Sequence, residues 1–173
     1  FRNTGRGTFV DEGLSSGVAL SEQGVARANM GVDAADYDRS GRPHILVGNF
    51  VGEMLGLYRN TDGRFFTDVA PRTEVGRASL LAVTWAVFFF DADLDGFLDL
   101  FVARGGEVNE SNLLYRNNGN TNHWLKVKLD GRASNRSGIH ARVRATATIN
   151  GQPISQMREI TCENAYAGQN GLL

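Results

Sequence analysis

One cysteine, three prolines and no run of Lys or Arg set the first limits on this 173-residue chain. A single thiol, Cys162, excludes a disulfide within the chain. It reads as a small residue packed near the C-terminal end, since a reactive thiol needs an activating basic or polar setting. With a net charge of −1 and scattered basic residues, nothing points to a nucleic-acid partner or an anionic membrane surface. No apolar run is long enough for a membrane span. The longest, Leu80 to Phe90, is followed at once by Asp91 and reads as a buried β-strand. The chain opens Phe1-Arg2-Asn3-Thr4-Gly5, without a start Met or an apolar leader, which predicts a processed product or a fragment that begins in mid-repeat. Catalytic signatures are missing as well: there is no Gly-x-Ser-x-Gly, His-Glu-x-x-His or phosphate loop. His123, beside Trp124, reads as a strand-entry residue, so the chain is expected not to be an enzyme.

Glycine, by contrast, is abundant at 21 residues, and Gly, Asn and Asp cluster between short apolar runs. That pattern predicts many turns and an all-β chain. With 42% hydrophobic and 21% charged residues the chain reads as soluble and globular.

A repeat organises the first two thirds. Arg2-Asn3-Thr4-Gly5 returns as Tyr58-Arg59-Asn60-Thr61-Asp62-Gly63 and again as Tyr115-Arg116-Asn117-Asn118-Gly119, with 57 positions from Arg2 to Arg59 and from Arg59 to Arg116. Phe9 is matched with Phe65. Between these markers Met30 to Asp38 aligns with Trp85 to Asp93, and Gly41 and Gly96 lie 55 positions apart. This period fits one four-stranded propeller blade. Strands are expected at 46–50, 55–58, 100–103 and 113–115. The Asn-containing turns, where positive φ is tolerated, should let neighbouring strands pair as hairpins.

Composition shifts near Asn122. Trp124-Leu125-Lys126-Val127-Lys128-Leu129 alternates as a half-buried strand does, and so does Ala141 to Ile149. Asn150-Gly151 is a strong hairpin signal, with Ile154 to Ile160 as the return strand. These readings divide the chain into repeats at 1–121 and a small β module at 122–173.

The chemistry concentrates in two acidic loops. Asp91-Ala92-Asp93-Leu94-Asp95-Gly96-Phe97-Leu98-Asp99 offers the side chains of Asp91, Asp93, Asp95 and Asp99 and the backbone carbonyl of Phe97. Calcium takes six to eight oxygens at about 2.3–2.6 Å, and alternating carboxylates around a glycine turn can converge on one ion. Four carboxylates so close together repel one another unless a cation neutralises them. Magnesium is disfavoured because it prefers to keep water ligands. The first loop, Asp36-Tyr37-Asp38-Arg39-Ser40-Gly41-Arg42-Pro43-His44, offers a weaker set: Asp36, Asp38, Ser40 and the Arg42 carbonyl. Ser40 and His44 replace two carboxylates, and imidazole is a poor ligand for a hard cation. Two outcomes stand open here, a weaker calcium site or a turn held by direct Asp–Arg contacts.

These loops, with the Leu-Tyr-Arg-Asn turns, resemble FG-GAP or VCBS-type repeats, known from integrin α-subunit propellers and bacterial secreted proteins. The tail resembles the ASPIC/UnbV module that follows such repeats. That likeness rests on Asn122-His123-Trp124-Leu125-Lys126-Val127, on Ser134 to Ile139 with Ala141-Arg142-Val143, and on Tyr166 with Gln169; His140 stands where a glycine is expected. The resemblance implies a partial β-propeller of about two blades with a small β module, secreted or at the cell surface, non-catalytic, and binding Ca2+ as a structural or adhesion element. The alternative is a scaffold within a larger secreted carbohydrate-active or hydrolytic enzyme. A closed propeller needs at least four blades. Exposed edges therefore predict a longer protein, a protein partner, further copies of the chain, or an open filament. A glycan is a further expected partner, with sequons at Asn109 and Asn135.

Overall fold

The computed structural model describes residues 1–105, 111–120 and 124–160. In chain order it contains β1 (Arg2–Asn3), β2 (Phe9–Val10), α1 (Gly13–Ser16), β3 (Val32–Ala35), β4 (His44–Val47), β5 (Gly56–Asn60), β6 (Phe66–Asp68), a 3-10 turn (Ala70–Arg72), α2 (Glu74–Ala78), β7 (Val83–Phe90), β8 (Asp99–Gly105), β9 (Leu113–Tyr115), β10 (Arg142–Ile149) and β11 (Gln152–Glu159). The architecture is mostly β. Four antiparallel sheets form: β1-β2, the four-stranded meander β3-β4-β5-β6, the three-stranded β7-β8-β9, and the hairpin β10-β11. None of these sheets closes on itself.

The 57-residue spacing is visible as register. Arg2 pairs with Val10 and Asn3 with Phe9, as Arg59 pairs with Thr67 and Asn60 with Phe66. The turn between them repeats too, Thr4 donating to the Thr8 carbonyl as Thr61 donates to that of Phe65. The partner of Phe9 in the repeat is therefore Phe66 rather than Phe65. Asp11 and Asp68 also match, each accepting the amide two residues on.

One apolar core joins the two larger sheets. Leu46 of β4, Leu57 of β5, Val87 and Phe89 of β7, and Leu100 and Val102 of β8 are all buried in a single cluster with Leu55 and Ala70. Polar bridges fix how the sheets meet. Asn49 and Thr84, both buried, exchange backbone and hydroxyl hydrogen bonds at 2.6–3.1 Å. The Asp33 carboxylate of β3 accepts the Phe89 amide of β7 at 2.8 Å. Burial raises the Asp33 pKa, and the backbone donors Phe89 and Ala34 oppose that rise.

Two expectations for the tail are corrected. Residues 124–129 form no strand; they run without a paired neighbour, and Trp124, Leu125 and Val127 are exposed. Alternation marks what could be a strand, but a strand exists only where a second backbone supplies hydrogen bonds. The hairpin from Arg142 to Glu159 does form around Asn150-Gly151, both at positive φ, as the mirror-image turns of hairpins require. Yet β10 is almost wholly exposed, so its alternation buries no face. The half-buried residues are Ser155 to Arg158 on β11. His140 holds φ 68°, the left-handed conformation that a glycine adopts without strain.

Candidate metal centre

The strongest acidic loop joins β7 to β8. Its chain reverses through two left-handed residues, Leu94 at φ 59° and Gly96 at φ 85°. The turn is held by its own carboxylates. Asp91 accepts the amides of Asp95 and Gly96, each at 2.9 Å, and Asp95 accepts that of Phe97. Asp99, buried at the start of β8, accepts Ala92 at 2.9 Å and Asn117 at 2.8 Å. Side-chain oxygens of Asp91, Asp93 and Asp99 lie within 4.8 Å of one another. Arg116, from the turn after β9, reaches Asp93 at 2.7 Å and Asp95 at 3.5 Å.

The first loop, between β3 and β4, has the same frame. Arg39 at φ 58° and Gly41 at φ 81° repeat the reversal, and Asp36 accepts the Gly41 amide as Asp91 accepts that of Gly96. Arg59 approaches Asp38 at 3.4 Å, as Arg116 approaches Asp93. Each Asn turn grips its loop alike: Asn60 donates its side-chain amide to the Pro43 carbonyl, and Asn117 donates to that of Leu98. The backbone thus conserves the loop where the side chains diverge. His44 takes the part of Asp99, its Nδ1 accepting the Asn60 amide at 2.9 Å. Its Nε2 meets Asp38 at 2.7 Å and Ser40 Oγ at 3.3 Å. Burial works to raise the Asp38 pKa, but the hydrogen bonds of His44 and Ser40 outweigh it and hold it below its ordinary value.

Of the sequence-derived candidates, Asp36 and Asp38 come together with His44, and Asp91 and Asp93 with Asp99. Ser40 faces His44. The Arg42 side chain donates to the Asn60 carbonyl at 3.3 Å. The Asp–Arg contact at Asp38 comes from Arg59; Arg39 instead stacks on Phe97, 3.7 Å above the ring centroid, and donates to the Gly96 carbonyl at 2.7 Å. That contact ties the two loops together. It was missed because no local pattern links residues so far apart in the chain. Cys162, His123, Tyr166, Gln169 and Asn109 lie outside the described residues.

The C-terminal segment packs on the glycines of both loops. A methyl group at Gly96 would lie 2.5 Å from Trp124, and one at Gly41 2.8 Å from the Ser155 carbonyl. Gly96→Ala is therefore expected to cost more than Gly52→Ala, which has open space and bears only the left-handed penalty of about 1–2 kcal/mol. Equal melting temperatures for the two variants would mean that the Trp124 contact contributes nothing.

The donor set of the second loop fits a hard cation. Four carboxylates sit within nine residues against two guanidinium groups, Arg116 on Asp93 and Asp95 and Arg39 on the Gly96 carbonyl, and a carboxylate that accepts two amides still has lone pairs free. Among the described residues no helix is long and apolar enough to cross a membrane.

Cartilage acidic protein 1 of Xenopus tropicalis is 35% identical to the chain over 111 residues, 63% of the chain. The human and mouse proteins of that name are 33% and 32% identical over the same length. The chain spans about a sixth of the length of these relatives, 16–17%. No family model matches the chain, and no solved structure matches it significantly.

Proposed function

We propose that the chain is a non-catalytic, extracellular calcium-binding module whose sheets are propeller blades of the FG-GAP type. The observation that carries this reading is the convergence of Asp91, Asp93 and Asp99 within 4.8 Å on one strand-flanked turn. Asp95 and the Phe97 carbonyl would complete the ligand set. A bound ion would neutralise the carboxylates and tie the end of β7, the start of β8 and the Asn117 turn into one rigid corner. The four-stranded meander supports the blade reading, and relatives named for cartilage support an extracellular setting. Their name describes no reaction. Among the described residues no strand pairs with the outer edge of β9, and this edge and the exposed Phe9, Leu14 and Leu114 suit a protein partner or further copies of the chain.

Trp124 against Gly96 provides the test. Terbium replaces calcium in oxygen sites, and excitation of this indole should give sensitised terbium emission that calcium competes away. Trp124→Phe should abolish the emission while calcium uptake, read by calorimetry, persists. No calcium uptake at millimolar concentration, the weak end of protein calcium sites, would overturn the proposal.

A further inference from the structure

The two loops share a backbone, yet they differ in what lies at their centres. In the first loop the Asn60 amide donates to Nδ1 of His44, which places the imidazole proton on Nε2. That N–H is a donor aimed at Asp38. It has no lone pair for a metal, and it stands fully buried among the groups that would have to ligate one. Ser40 closes on the same ring. What remains is Asp36, only 5% exposed. Its Oδ2 accepts the Gly41 amide, whereas its buried Oδ1 has no hydrogen-bond partner. A buried carboxylate oxygen without a partner is costly and calls for a cation or a donor beside it.

The chain brings a cation toward it. β11 presses its Ser155 carbonyl against Gly41, and three residues on Arg158 lies half-buried in the electrostatic range of Asp36. Burial lowers the Arg158 pKa below its ordinary value; Asp36 opposes that shift and Arg39 adds to it. Arg158 is thus desolvated on the half-buried stretch of β11 and feels the charge of Asp36 without a hydrogen bond to it, its Nη1 donating to the Met157 carbonyl.

We propose that the first acidic loop is closed by the chain's own groups, the His44 imidazole N–H inside and the charge of the Arg158 guanidinium outside, and that through the Gly41–Ser155 contact it serves as the docking seat of the C-terminal hairpin and takes no calcium. The second loop, by contrast, keeps an aspartate at the position of His44. The inference concerns the first loop alone and stands whether or not the second takes calcium.

The test silences the second loop with Asp93→Asn and Asp95→Asn, two side chains that carry no core contact. Calorimetry on this chain should find no calcium uptake. Uptake that disappears on adding Asp36→Asn would overturn the proposal. Hydrogen exchange on the same chain, with its second loop silenced, supplies the second readout. Protection of residues 36–44 should be unchanged by chelator, and Arg158→Met should speed exchange there and in β11 at least tenfold. Met keeps the bulk of the Arg stem, so the hairpin itself is retained. Protection that falls with chelator, or that ignores Arg158→Met, would sink the docking seat.

Discussion

Asp99→Ala is expected to abolish calcium uptake by the chain and to destabilise the β7-β8-β9 sheet even without calcium. The reason lies in two bonds that have nothing to do with a metal. Both oxygens of this buried carboxylate accept backbone amides, from Ala92 in the loop and from Asn117 in the next turn. Truncation leaves both donors without a protein acceptor; Ala92 is exposed and Asn117 half-buried, so each lost bond costs about 0.5–1.5 kcal/mol. The combined loss of roughly 1–3 kcal/mol is a sizeable part of the ~5–15 kcal/mol that holds a domain together. Asp99→Asn separates the contributions. It keeps one acceptor oxygen, so the sheet should survive at a smaller cost while the charge needed by the cation is gone. Denaturant titrations with and without chelator provide the measurement. In the native chain calcium should add about 2.7 kcal/mol at a hundredfold excess over its dissociation constant. In either variant the two curves should coincide. A calcium-dependent shift that persists in Asp99→Ala would remove the 91–99 loop as the binding site.

Asp68→Ala should cost still more, though the residue touches neither acidic loop. Its carboxylate is 3% exposed and pairs with the buried Arg27 guanidinium at 2.9 Å. It also accepts the amides of Leu57, Ala70 and Glu22. Breaking a buried ion pair from one side leaves a desolvated charge and costs about 3–5 kcal/mol; the abandoned amides add to that. Arg27→Met should be milder, because the carboxylate keeps its three amide donors. Chemical denaturation would read the order of the two variants. If Arg27→Met proved the more damaging, the carboxylate would owe its burial to the guanidinium and the amides would count for little.

Much of the local structure was legible. The Asn-led turns, the Asn150-Gly151 hairpin and the strands on either side of the 91–99 loop follow from chemistry contained within a few neighbouring residues. An amide side chain caps its own turn, a left-handed residue pair reverses the chain, and branched or aromatic residues flank it. The family resemblance and the aspartate spacing together marked the acidic loops. What escaped was set by distant partners. Arg27 and Asp68 meet only after the first sheet forms, and nothing beside either residue announces the other. A signal for Asp68 did exist, since Asp11 stands 57 positions before it, but only the register makes it meaningful. Residues 124–129 carried the alternation of a strand and lacked a backbone to pair with. His44 was recognised as a departure from the ligand pattern. Its role as an acceptor for Asn60 depends on a turn whose own strand arrives later in the chain.

Arg39 gives the two loops a common mechanical fate. Its guanidinium lies flat on Phe97 and grips the Gly96 carbonyl, while its own loop bears on β11 through Gly41 and the other bears on Trp124. A pull on the C-terminal hairpin therefore enters the first loop and passes through Arg39 into the second, without first straining the core strands. Stiffness of the whole corner is then limited by its softest link, and an ion that hardened the second loop would be felt as added resistance at the hairpin.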